Sequence, residues 1–150
     1  MTLKEEEFPA FAWDIVDDVI VTRQFPNKEV PDPLWDAFIK DLKESNARHI
    51  FSLTIGSATL KATQRKSAAD VLRDNGIPAT VITDNRLTRG ILTAVSWLGA
   101  KVKAFSWDEI DAALAAAEIA PREQRWKIKR LAENFLEASK HARDGIDDGS

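Results

Sequence analysis

The chain has no cysteine, which excludes disulfides, thiolate zinc sites, iron–sulfur clusters and cysteine nucleophiles together. That usage fits a reducing compartment. Histidine is scarce as well. His49 heads an apolar segment and His141 lies near the C-terminal end, so neither offers a paired base or a cluster of metal ligands. The opening Met-Thr-Leu-Lys-Glu-Glu-Glu lacks the basic and apolar regions of a secretory leader, and no apolar run approaches the roughly 18 residues of a membrane span. A cytoplasmic location is expected. The acid pairs Asp17-Asp18 and Asp147-Asp148 fall in a turn and a tail, and no glycine-rich phosphate motif occurs. No residue set meets the outline of a catalytic geometry, so the expectation is a binding protein rather than an enzyme, with no cofactor and no metal.

What is present describes an ordinary folded domain. The 150 residues are 44% hydrophobic and 30% charged, a balance that supports one core and leaves little room for a second domain. The net charge of -3 argues against nucleic acid held over the whole surface, and leaves local basic patches to be found residue by residue.

Phe11 to Asp14 and Val19 to Phe25 read as β segments joined at the turn-prone Asp17-Asp18. Leu34, Trp35, Phe38 and Leu42 recur at helical spacing, with Asp32 as the expected cap before Pro33, and this helix runs to about Ser45. His49 to Ile55 has the length and branching of a buried strand. A helix over roughly Thr59 to Asp74 follows, closed by Asn75-Gly76, and then a second buried strand from Ile77 to Thr83. Asp84-Asn85 opens a helix with an apolar stripe of Leu87, Ile91, Ala94, Val95 and Leu98, closed by Gly99. Lys101 to Phe105 is a further strand. Ser106 and Glu109 have capping-box spacing for a helix through about Glu118, and Pro121 begins the last one. Strands alternating with helices predict an α/β fold: a mixed, mostly parallel sheet with an N-terminal hairpin, flanked by helices, plus a C-terminal helix. The expected divisions are an N-terminal segment (1–10), the α/β domain (11–120), the C-terminal helix packed on it (121–141) and a flexible tail (142–150).

This order, with Thr83-Asp84-Asn85-Arg86-Leu87 before a helix ending Ser96-Trp97-Leu98-Gly99 and then Ala104-Phe105-Ser106, resembles the STAS domains, the sulfate-transporter and anti-sigma-factor-antagonist domains. It is most similar to their bacterial sporulation-type relatives, over about Phe11 to Glu118. The resemblance implies a regulatory module that binds a protein partner and is switched by phosphorylation of a serine after the third strand. The matching stretch is Ile55-Gly56-Ser57-Ala58-Thr59, which makes Ser57 and Thr59 the acceptor candidates. It departs from the family pattern in having Gly56 where an acid precedes the acceptor and Leu60 where a small residue follows.

The loops at the carboxyl ends of parallel strands are where an open α/β sheet meets its ligands, because helix N-termini there present free amides. Gly56, Asp84, Asn85, Arg86 and Arg89 are therefore candidates for partner or anion binding. Ser57 and Thr59 have a plainer reading as helix caps, and the arginines as solvated surface. Leu92 lies away from the apolar stripe and, with Thr88 and Ser96, is expected on an exposed contact face. On the last helix Ile128, Leu131 and Phe135 form the apolar stripe, while Arg122, Trp126, Lys129 and Arg130 fall opposite. Such a basic-aromatic face suits a partner, a nucleobase or anionic headgroups at a membrane surface. Its alternative is that Trp126 packs back onto the sheet. A small-molecule or lipid-headgroup binding protein thus stands beside the protein-interaction module, and the hairpin's edge strand leaves a homodimer open.

Overall fold

The computed structural model describes residues 10–26, 28–56 and 60–148, with side chains described as far as residue 140. Five strands and five helices follow one another as β1 (Phe11–Val16), β2 (Val19–Gln24), α1 (Asp32–Glu44), β3 (His49–Thr54), α2 (Ala62–Asn75), β4 (Ala79–Ile82), α3 (Arg86–Trp97), β5 (Val102–Phe105), α4 (Ile110–Ala116) and α5 (Arg122–Asp148). A 3-10 turn, Trp107–Glu109, leads into α4. β1 and β2 pair antiparallel around Asp17-Asp18, where Asp17 adopts φ +56°, a left-handed conformation that aspartate tolerates better than branched residues. The other pairings are parallel, and the sheet order is β1-β2-β3-β4-β5. The expected α/β architecture is the one found.

That strictly sequential order decides where the helices go. Right-handed crossovers that always step in the same direction place every connecting helix on one face. Accordingly α1, α2 and α3 cover one side, packing Trp35, Phe38, Leu42 and Leu72 onto Ile20, Ile50 and Ala79. The chain reaches the other side only after β5, where Leu114, Ile128 and Phe135 of α4 and α5 cover Val19, Val21, Phe51, Leu53 and Ile82. The two-residue period of the strands thus divides one apolar sequence run between two cores. Because strand order never reverses, the sheet has no switch point at which adjacent loops splay apart.

Asp18 ties these layers together at the amino edge of the sheet. Its carboxylate accepts from Gln124 Nε2 at 2.7 Å and from Arg48 Nε at 2.6 Å, and these bonds hold it below the usual carboxylate range. Arg48 also donates to the carbonyls of Ala117 and Glu118, both at 3.1 Å, which closes the end of α4.

Two expected helix starts move. The N-cap of α1 is Pro31, not Asp32, and Asp32 instead accepts from Lys61 Nζ at 3.2 Å and Gln64 Nε2 at 3.1 Å. The next helix, α2, begins at Ala62 with Lys61 as its N-cap, later than the expected start near Thr59. Gln64 explains the shift: its Oε1 accepts from Lys61 N at 3.0 Å and its Nε2 donates to Val30 O at 2.8 Å, fixing the first turn against α1.

Candidate functional site

At the carboxyl edge three loops meet: Gly56 after β3, Asp84-Asn85 after β4 and Ser106 after β5. Gly56 has φ +69°, and a Cβ there would stand 3.1 Å from Pro26 Cβ, so the backbone at this position calls for glycine. Its carbonyl accepts from Thr88 Oγ1 at 3.3 Å, fastening this loop to α3. Asn85 is the N-cap of α3, accepting from Thr88 N at 3.0 Å. Asp84 accepts from Trp107 N at 3.3 Å, linking the β4 and β5 loops. Ser106 donates through its hydroxyl, and at 3.0 Å through its amide, to Glu109, whose carboxyl is thereby held below its usual range. Gly56, Asp84 and Asn85 therefore shape the edge, while the cations beside them are the groups presented to solvent. Arg86 is exposed and has no ion pair among the described residues; Arg89 is exposed and reaches Thr83 O at 3.5 Å. Ser57 and Thr59 lie outside the described residues.

The placement of α3 reverses one expectation. Thr88 is buried and Leu92 is half-buried beneath the helix, so Leu92 does not belong to an exposed contact face. The outer face is the row Leu87, Gly90, Ala94 and Trp97, which recurs at helical spacing and is exposed throughout. Leu87 is 70% exposed and Trp97 81% exposed. Leu98, also expected on the buried stripe, lies exposed beside them. Ile91 and Val95, the half-buried members of the expected stripe, face inward with Thr88 and Leu92. The row carries no charge, and from Asn85 to Trp107 the chain has Arg86, Arg89, Lys101 and Lys103 without a single acid. Sequence reasoning treated these cations separately and missed the segment as a unit; its acid-free run was the available signal.

On α5, Trp126 is 62% exposed and does not pack back onto the sheet. Arg130, one turn on, places its guanidinium 5.9 Å from the indole centroid. Lys129 is drawn aside by Asp111, at 2.9 Å, and Arg122 is exposed. The basic-aromatic face is thus a Trp126–Arg130 pair with Arg122 nearer the helix start. It sits on the opposite side of the sheet from α3. His49 is buried at the head of β3, with Nε2 2.7 Å from Thr80 Oγ1, away from both surfaces.

No protein-family model matches the chain, and no curated protein matches it. No helix among the described residues is long and apolar enough to cross a membrane.

Proposed function

We propose that this protein is a non-catalytic regulatory module of the STAS type, which binds an acidic, apolar face of a protein partner through the outer side of α3 and the loop that opens it. The observation that carries this reading is the exposed, uncharged row from Leu87 to Trp97, set in a stretch that is wholly basic in its charges. Tryptophan and arginine are the residues that dominate interface energetics, and Gly90 and Ala94 between the two large side chains leave space for a partner to approach. A phosphoryl group on Ser57 or Thr59 would add close to two negative charges between β3 and α2, near enough in sequence to the edge loops to alter such an interface.

The test is quantitative capture from a lysate of the source organism with wild type, Trp97→Ser and the double variant Arg86→Glu/Arg89→Glu. Loss of a central hot-spot side chain costs about 2 kcal/mol or more, which is roughly thirtyfold in affinity. Both variants are expected to lose the same partner. Retention of every captured protein at wild-type yield by both would reject the reading.

A second reading, as a small-molecule or lipid-headgroup binding protein, draws on the exposed Trp126–Arg130 pair. Sedimentation with anionic vesicles at low salt, compared between wild type and Trp126→Ala, tests its membrane version. Equal recovery of both proteins in the supernatant would remove it.

A further inference from the structure

Between the helices and the sheet, β2 and β3 present short polar side chains where a helix-covered parallel sheet ordinarily presents branched aliphatic ones. Thr22 and Gln24 of β2, and Ser52 and Thr54 of β3, all point to this face, and Ala68 of α2 and Thr88 of α3 stand over it. These side chains are too small to close the gap. A cavity of about 120 Å³ remains, otherwise walled by aromatic and aliphatic groups.

The polar groups in its wall differ in one respect. Thr22 Oγ1 donates to Ser52 Oγ at 2.8 Å and Thr54 Oγ1 donates to Ile82 O at 2.9 Å, so the hydroxyls are engaged. Gln24 is 5% exposed, and its amide nitrogen is buried with no hydrogen-bond partner among the described residues. A buried donor without an acceptor keeps its full desolvation cost, which is why native cores rarely contain one. An acceptor supplied from the cavity would remove that cost.

We propose that this cavity binds a neutral compound of about five to six non-hydrogen atoms, a small apolar ring or branched chain bearing one carbonyl-type oxygen that accepts from Gln24 Nε2. The size follows from comparison with an engineered apolar cavity of about 150 Å³ that holds benzene. Neutrality follows from the wall. Arg65 is its only charged residue among those described and turns NH1 to Leu60 O at 2.6 Å, while the unpartnered donor, Gln24 Nε2, is neutral, so a neutral oxygen costs less to bury against it than a carboxylate would. This site does not depend on what binds the outer side of α3.

Cyclopentanone and methylcyclopentane, alike in shape and different in the carbonyl, are the probes, with binding followed by ligand-observed NMR and by thermal unfolding. Wild type is expected to bind both. In Gln24→Met, which keeps the side chain's length and removes the donor, cyclopentanone should bind roughly tenfold more weakly while methylcyclopentane is unaffected or tighter. Ala68→Leu, which fills the cavity from a helix, should bind neither and retain its circular dichroism. Failure of wild type to bind either probe overturns the proposal, as does an unchanged preference in Gln24→Met. If Gln24→Met does not fold, binding by wild type and its loss in folded Ala68→Leu decide the existence of the site. Wild-type binding by Ala68→Leu would place the probes elsewhere and reject it.

Discussion

Acidification from pH 7 to pH 5 is expected to cost the native state about 2 kcal/mol through a single side chain, His49. Burial disfavours its imidazolium, and the neighbouring Arg48 guanidinium adds to the effect, outweighing an opposing pull from Glu118; together they lower its pKa from 6.5 to about 4. Below pH 6.5 the unfolded chain takes up a proton that the folded protein refuses until the pH nears 4. The unfolded state therefore binds more protons across that window, and stability falls with falling pH, by up to about 1.4 kcal/mol per unit. The full difference reaches about 3 kcal/mol near pH 4. The carboxyls of Asp18 and Glu109 are held below their ordinary values of 3.8 and 4.5 by hydrogen bonds, so the stability that they contribute is lost mainly below about pH 5. Urea unfolding at pH 7, 6 and 5 measures the slope in wild type, in His49→Gln and in the control His141→Gln. Wild type and the control should lose stability together, and His49→Gln should be flat above pH 5. Equal slopes in wild type and His49→Gln would refute the reasoning.

Three further perturbations test the frame that positions the site. Gly56→Ala must place a side chain at φ +69° and against Pro26, and is expected to destabilise by about 1–2 kcal/mol in denaturant unfolding; wild-type stability would mean the loop rearranges freely. Arg48→Ala removes the donor to Asp18, Ala117 O and Glu118 O and should cost about 1–2 kcal/mol, with the Asp18 carboxyl moving back toward its ordinary pKa in a carbon-detected NMR titration. Phe135→Ala opens the core between α5 and the sheet, where its ring meets Phe25 and Trp107, and should cost about 3–5 kcal/mol by the same unfolding assay.

The features legible in the sequence were those decided locally. Asn75-Gly76 ends α2 because Gly76, at φ +63°, is free to be left-handed, and Ser106 with Glu109 closes its turn through a contact three residues away. The branched residues of β2, β3 and β4 identify strands because they are buried on both faces. Features decided by a partner element were not legible. The rotation of α3 about its axis is set by the elements it packs on, β5 and α2, and periodicity on α3 alone cannot register those neighbours. The same holds for Asp32, whose carboxylate was claimed by Lys61 and Gln64 rather than by its own helix. Gly56, Asp84 and Asn85 lie at the carboxyl edge and Trp126 is exposed on α5, placements that local pattern makes legible, whereas Leu92 is turned inward and Leu87 outward, the reverse of what the apolar spacing implies. The cavity beside Gln24 was invisible for a further reason: a void is a property of how several elements meet, and no single segment encodes it.

The central claim is that the outer side of α3 is an interface for a partner with an acidic, apolar face. Its most direct measurement is photo-crosslinking in the source cell from a reactive side chain placed at Ala94, midway along the exposed row, with an equivalent probe at Arg130 on α5 for comparison. The account predicts one dominant protein adduct from Ala94, joined through a segment rich in acidic and apolar residues and lost when Arg86 and Arg89 are changed to glutamate. Adducts from Arg130 alone, or none from Ala94 beyond solvent quenching, would contradict it.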